Sequence, residues 1–110
     1  MGKKEIGSLR VPVAYTYYKL KPRANIKSLG LTTFGKKKLE ISKKLQDKGQ
    51  WSSTFWHEWL HAVAFEGGYD RITENEAFIE YTSQAIMRMF TDPVGRALLE
   101  NMLLHLDPPK

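Results

Sequence analysis

The chain has 110 residues, a formal net charge of +5 and no cysteine. This length suits one small domain, and we expect residues 1–110 to form a single unit. The lack of cysteine excludes disulfides and cysteine-ligated metal sites. No run of 18 apolar residues occurs, and the N-terminal residues lack the apolar core of a secretion signal. We therefore expect a cytoplasmic protein with no membrane partner.

The N-terminal part of the chain is predicted to form strands. Residues 11–20 are rich in Val and Tyr and favour one strand, which Lys21-Pro22-Arg23 ends. Residues 31–34 predict a short strand that turns near Gly35.

A further strand is predicted over Lys38–Ser42. There Leu39 and Ile41 alternate with polar residues, which is typical of a strand with one solvated face. A short helix over residues 42–48 is the alternative.

Lysines are concentrated between Lys36 and Lys48. This cluster could contact nucleic acid or an acidic partner. No aromatic residue lies between these lysines to stack on bases, so a solvated edge that deters aggregation is the simpler interpretation. The cluster comprises Lys36, Lys37, Lys38, Lys43, Lys44 and Lys48.

The segment that follows predicts a helix from about Ser53 to Glu66. Ser52, Ser53 and Thr54 offer capping hydroxyls, and Gly67-Gly68 supplies a C-terminal stop. Three tryptophans crowd this segment, and core packing is the default role for aromatic residues at helical spacing.

Within this helix, residues 57–61 read H-E-x-x-H. Residues four apart share one helix face, so His57 and His61 can converge on one metal ion. Glu58 then lies beside the ion, where it could accept a proton from water. The motif predicts a zinc site with a hydrolytic role. The alternative is a metal-free helix whose polar side chains are satisfied by hydrogen bonds in the core.

A third ligand is expected from a second helix, running from a Thr73 cap to about Phe90. An antiparallel packing of the two helices would bring Glu76 over the two histidines, and Glu80, one turn later, could orient either ring. Glu74 or Glu80 is the fallback ligand, and surface acids without a metal are the plain alternative.

Other arrangements of the ligands are less favoured. The third histidine, His105, is expected to be a solvated residue near a helix end. The longer metzincin motif needs glycine at position 64 and histidine at position 67, where the chain has Ala64 and Gly67.

The last helix is predicted to open at Asp92-Pro93, with Asp as its cap and Pro at its first position. Its apolar face is expected to close the core. The predicted fold class is therefore α+β, with a small antiparallel sheet, the H-E-x-x-H helix and two further helices.

These motifs resemble the zincin metallopeptidases. His57, Glu58 and His61, followed by Glu76 in an N-E-A segment, are similar to the gluzincin pattern, in which the later glutamate is a zinc ligand. An acidic residue one turn on supports a ligand histidine, and Glu80 matches that place. The layout also resembles minimal zincin-like proteins of bacteriophages and mobile elements, including relatives of the ImmA/IrrE metallopeptidases.

The resemblance implies a peptide or protein substrate and a bacterial or phage-infected host cell. It also implies that an edge strand beside the site pairs with the substrate, and Lys38–Ser42 is the expected candidate. Tyr69 and Tyr81 are candidate donors to the oxyanion.

The leading hypothesis is zinc-dependent peptide hydrolysis, with His57, His61 and Glu76 as ligands and Glu58 as general base. The second hypothesis is a regulatory or binding protein on a zincin scaffold, because a short chain has few residues with which to form a closed substrate pocket. A metal-free helical domain is the third.

Overall fold

The computed structural model describes residues 9–24, 27–45 and 47–106. The described part has the expected α+β architecture, with a four-stranded sheet and four helices. In it, no helix combines the length and apolar character needed to cross a membrane. The expectation for the N-terminal residues lies outside these ranges. The elements are β1 (Leu9–Val13), β2 (Thr16–Arg23), β3 (Gly30–Thr33), β4 (Lys38–Ser42), α1 (Lys48–Glu66), α2 (Asp70–Thr73), α3 (Glu76–Thr91) and α4 (Pro93–Leu104).

The sheet is mixed rather than wholly antiparallel. Its strand order is β1-β2-β4-β3, and β2 pairs with β4 in parallel while the other two pairs are antiparallel. The prediction that Lys38–Ser42 is an edge strand is therefore wrong, because β4 has a partner on each side. The edge strand on that side is β3.

The segment predicted as one strand over residues 11–20 is a hairpin. Val13 pairs with Thr16 across a two-residue turn, and Ala14 adopts a φ of 54° there. The turn lacks the Gly or Asn that usually marks such hairpins, so the sequence offered no signal for it. Pro22 does not end β2, which runs to Arg23 with Pro22 in register with Ile41 of β4.

The core lies between one face of the sheet and α1. The buried cluster consists of strand residues joined by one helix residue, and bulky side chains of α1 pack against its margin. Its members are Val13, Tyr18, Leu20, Leu39, Ile41 and Ala62. Burial together with the hydrogen bond to Glu66 raises the pKa of the Tyr18 hydroxyl, which keeps that hydroxyl protonated as the donor.

The motif helix is longer than its sequence pattern predicts. It starts at Lys48, where Asp47 accepts a hydrogen bond from the Gln50 N–H at 2.9 Å, and it ends at Glu66 as expected. The serines at positions 52 and 53 therefore lie inside the helix. The alternative helix over residues 42–48 does not form, since Ser42 ends β4.

Two tryptophans of α1 connect this helix to its neighbours. The indole N–H of Trp59 donates to the Pro12 carbonyl at 2.8 Å, which ties α1 to β1. Trp56 stacks on Phe90 with ring centroids 5.7 Å apart, which ties α1 to α3. These contacts fix the positions of both helices that carry the candidate ligands.

Candidate metal centre and groove

The two histidines of the motif lie on the side of α1 that faces α3. Their ring centroids are 5.0 Å apart, which is the spacing expected for positions i and i+4 of a helix. The His57 side chain is 21% exposed and that of His61 is 11% exposed. Both rings are therefore held by protein on most sides and open to solvent on one.

Glu76 meets both rings from the first turn of α3. Its Oε2 lies 3.0 Å from His57 Nε2, and its Oε1 lies 2.9 Å from His61 Nε2. Helix α3 begins here because Asn75 accepts a hydrogen bond from the Phe78 N–H at 3.0 Å. The cap is thus Asn75 rather than the predicted Thr73, and the predicted meeting of Glu76 with the histidines is present.

The second nitrogen of each ring has its own partner. His57 Nδ1 lies 2.9 Å from Glu80 Oε2, and because a carboxylate only accepts, the ring nitrogen is the donor. His61 Nδ1 lies 3.0 Å from Thr73 Oγ1, and that hydroxyl donates its proton to the His61 carbonyl. The hydroxyl must then accept from the ring. The Nδ1 atom of each histidine is therefore the donor in these bonds, and the Nε2 atom of each faces the Glu76 carboxylate.

This arrangement suits a divalent cation. One ligand atom each from His57, His61 and Glu76 lies within 4.8 Å of the others. Ligand atoms around one tetrahedral zinc ion stand roughly 3.3 Å apart, so small rotations of the side chains would complete the set. Two imidazoles and a carboxylate, with the Nδ1 atoms hydrogen-bonded, form a donor set typical of catalytic zinc sites. Glu76 is 67% exposed, which leaves one side open to a further ligand.

Glu58 is not one of the candidate ligands, and its side chain faces β3. The Thr32 hydroxyl donates to Glu58 Oε1 at 2.7 Å and lies 3.1 Å from the main-chain carbonyl of Glu58. Gly30 permits this close approach. A Cβ atom at Gly30 would lie 2.7 Å from Thr54 Cγ2 and 2.9 Å from Glu58 Cγ. The carboxylate is therefore held between α1 and the edge of the sheet.

A groove runs beside β3 on both sides of Glu58. A cavity of about 310 Å³ lies toward the start of the strand and includes His57 and Glu80. A cavity of about 520 Å³ lies toward its end and includes His61 and Thr73. Glu58 borders both cavities, and each cavity includes one of the two motif histidines.

Other candidate residues lie away from the rings. Glu74 lines the larger cavity but makes no contact with a histidine, so the fallback ligand is not needed. Neither Tyr69 nor Tyr81 borders the groove beside Glu58, and both are largely exposed. His105 is exposed at the C-cap of α4, as expected.

Sequence reasoning missed two residues that hold the site. Thr32 lies 26 positions before Glu58, and Thr73 lies 12 positions after His61. Neither belongs to a motif, and a threonine in a strand or near a helix start has ordinary roles there. Only the packing of β3 and α2 against α1 brings these hydroxyls to the site.

Comparisons with protein-family models, with curated proteins and with solved structures gave no match.

Proposed function

We propose that this protein is a zinc-dependent metallopeptidase. The observation that carries the proposal is the approach of one carboxylate, Glu76, to the Nε2 atoms of both motif histidines at 2.9–3.0 Å. Three independent elements of the pattern agree with it: the spacing of the histidines, the Nδ1 partners and the position of Glu58. The resemblance of the motifs to those of the gluzincins supports the same assignment.

Each residue of the candidate site has its own role in the proposed reaction. His57, His61 and Glu76 would hold the ion. When bound, zinc would supply a Lewis acid that lowers the pKa of water toward about 7. Glu58 accepts the proton of the attacking water and passes it to the leaving amine. Thr32 keeps the Glu58 carboxylate on the groove side of α1, because its hydroxyl donates to one carboxylate oxygen.

The edge of β3 is the place for an extended peptide substrate. The Ser42 N–H donates to the Leu29 carbonyl. The alternation of an antiparallel ladder then turns the main-chain groups of Gly30 and Thr32 away from β4. A peptide paired with these groups would run along the groove and pass beside Glu58. This role belongs to β3 rather than to Lys38–Ser42.

Metal content is the first test. Protein purified without chelators should contain about one zinc ion per chain by elemental analysis. Glu76→Ala should lose most of it, because the remaining pair of imidazoles is an incomplete ligand set. Glu74→Ala is the matched control, since Glu74 is an exposed acid of the same segment that touches neither ring, and it should retain the metal.

Turnover is the second test, with a library of quenched fluorescent peptides as substrate. Glu58→Gln should keep its zinc and lose about 10²–10⁴-fold in kcat/KM, whereas Glu100→Gln, which changes an exposed acid of α4, should cleave like the parent. Cleavage by Glu58→Gln at the parental rate would exclude Glu58 as the base. A zinc-loaded parent that cleaves no peptide and no denatured protein would instead favour a regulatory protein on a zincin-like scaffold.

A further inference from the structure

The face of the sheet turned away from α1 is basic. Leu39 and Ile41 point into the core against α1, so the alternation of β4 places Lys38 and Glu40 on the opposite face. The same alternation places Lys19 and Lys21 of β2 there, since Tyr18 and Leu20 are buried. This outer face lies on the other side of the sheet from the metal centre.

Three of its cations form a row across neighbouring strands. Arg10 pairs in register with Lys19, and Lys19 pairs in register with Lys38. Neighbouring strands lie about 4.8 Å apart, and like charges placed directly opposite one another destabilise a sheet. A row of this kind has a cost in the free protein that an anionic ligand would remove.

Little in the described part of the chain neutralises this row. Glu40 lies on the outer face, and its Oε1 accepts from Arg23 Nη1 at 3.2 Å. Among the residues that the structure describes, no lysine forms an ion pair with a carboxylate. The imbalance extends along the chain: twelve of the seventeen basic residues lie in its first 45 positions, which contain two of the twelve acidic ones.

An aromatic ring accompanies the cations. Tyr17 lies on the same face two positions before Lys19 and is about half exposed. The Arg10 guanidinium carbon lies 5.3 Å from the centre of its ring. Tyr15, at the tip of the hairpin, is fully exposed. The lysine cluster has no aromatic residue within it in sequence, but the fold places Tyr17 beside Lys19 and one strand away from the lysine-bearing β4.

We propose that this outer face of the sheet binds single-stranded nucleic acid, with Arg10, Lys19 and Lys38 contacting phosphates and Tyr17 stacking on a base. A flat row of cations beside an exposed ring fits an extended polyanion whose bases are free to stack. A duplex hides its base faces, and a folded acidic protein needs a shape-matched apolar contact that this face lacks. The proposal does not depend on the metal centre.

The test is the fluorescence anisotropy of a labelled oligodeoxythymidine of about 16 nucleotides, titrated with the whole chain. Four phosphate contacts, counting Lys21 with the row, predict a slope near −3 for log affinity against log salt, which is about a 50-fold loss between about 50 and 200 mM. Lys19→Gln/Lys38→Gln should weaken binding and reduce the slope by about half. Lys48→Gln/Arg96→Gln makes the same charge change on exposed helical positions and should retain the parental slope.

Stacking is tested with the same titration. Tyr17→Ala should lower the affinity for the single strand by at least about fivefold. Tyr81→Ala, which removes an exposed tyrosine of α3, should not change it. Thermal melting of each variant shows whether the fold is retained. If Tyr17→Ala does not fold, Tyr17→Leu replaces it, because leucine keeps an apolar side chain without an aromatic face.

Four outcomes would overturn the proposal. They are an affinity that does not depend on salt, an equal loss in the helical control, equally tight binding of a duplex of the same length, and stronger binding to vesicles of anionic lipid than to the oligonucleotide.

Discussion

The groove and the outer face of the sheet are built in opposite ways. In the groove, each ring nitrogen of His57 and His61 has a partner at 2.9–3.0 Å, and Glu58 has one at 2.7 Å. On the outer face, cations stand in register, and the Glu40 carboxylate beside them is held by Arg23. Groups that are already paired position a small ligand, whereas unpaired charges attract a large one without fixing its geometry.

The largest expected effect concerns the Nδ1 partners of the histidines. Glu80→Leu and Thr73→Val each remove an acceptor that orients a ring, so the zinc affinity should fall by about 10–100-fold. Competition with a chromogenic chelator measures it. Glu74→Gln changes a neighbouring acid that touches neither ring and should bind zinc like the parent. Unchanged affinity in both test variants would show that the groove is not pre-organised through Nδ1.

A second prediction concerns the close approach of β3 to α1. Gly30→Ala places a Cβ atom 2.7 Å from Thr54 Cγ2 and 2.9 Å from Glu58 Cγ, so β3 or the Glu58 side chain must shift. The expected cost is about 1–3 kcal/mol in the free energy of unfolding, together with a loss of turnover.

Urea denaturation and peptide cleavage measure these two effects. Gly35→Ala is the control, because a Cβ atom there meets nothing within 4 Å. Should Gly30→Ala be as stable and as active as this control, the tight contact beside Glu58 would have no role in the site.

A smaller effect is expected on the sheet side, at the hairpin that joins β1 and β2. Ala14 has a φ of 54°, a conformation that costs an L-residue roughly 1–2 kcal/mol and glycine much less. After allowance for the greater freedom of glycine in the unfolded chain, Ala14→Gly should stabilise the protein by roughly 0.5–1 kcal/mol. Thermal and urea unfolding report the change, and a loss of stability would mean that the turn tolerates alanine without strain.

The smallest expected effect tests whether the two surfaces act independently. Lys19→Gln/Lys38→Gln should leave the zinc affinity and the cleavage of an uncharged peptide within about twofold of the parent, since additivity holds for distant sites. Conversely, Glu76→Ala should bind the oligonucleotide like the parent. The same chelator competition and anisotropy titrations measure both affinities. A changed zinc affinity in the lysine variant, or a changed oligonucleotide affinity in Glu76→Ala, would show that the two sites are coupled through the sheet.

Much of the ligand set could be predicted from local spacing. His57 and His61 share a face because a helix repeats every 3.6 residues, and Glu76 and Glu80 share a face for the same reason. Asp92 and Pro93 begin α4 as predicted, because capping and the fixed φ of proline are local effects. The start of α1 was predicted too late, since three hydroxyl residues competed with Asp47 as caps and only the fold chose between them.

The prediction for the sheet was least accurate where distant residues must meet. The order β1-β2-β4-β3 makes Lys38–Ser42 an interior strand, and no property of five alternating residues distinguishes an interior strand from an edge. The hairpin at Ala14 lacked a turn signal, so two strands were predicted as one. Pairing across the sheet decides such cases, and it depends on the whole chain.

By itself, the sequence determined the α+β class, the motif helix with its two imidazoles on one face, and the acidic helix that follows it. Helical periodicity acts over a few residues, so it can be read without the fold. The tertiary structure alone decided that Thr32 and Thr73 hold Glu58 and His61, that β3 borders the groove, and that Arg10, Lys19 and Lys38 form one row. These arrangements come from the packing of elements that are far apart in the chain.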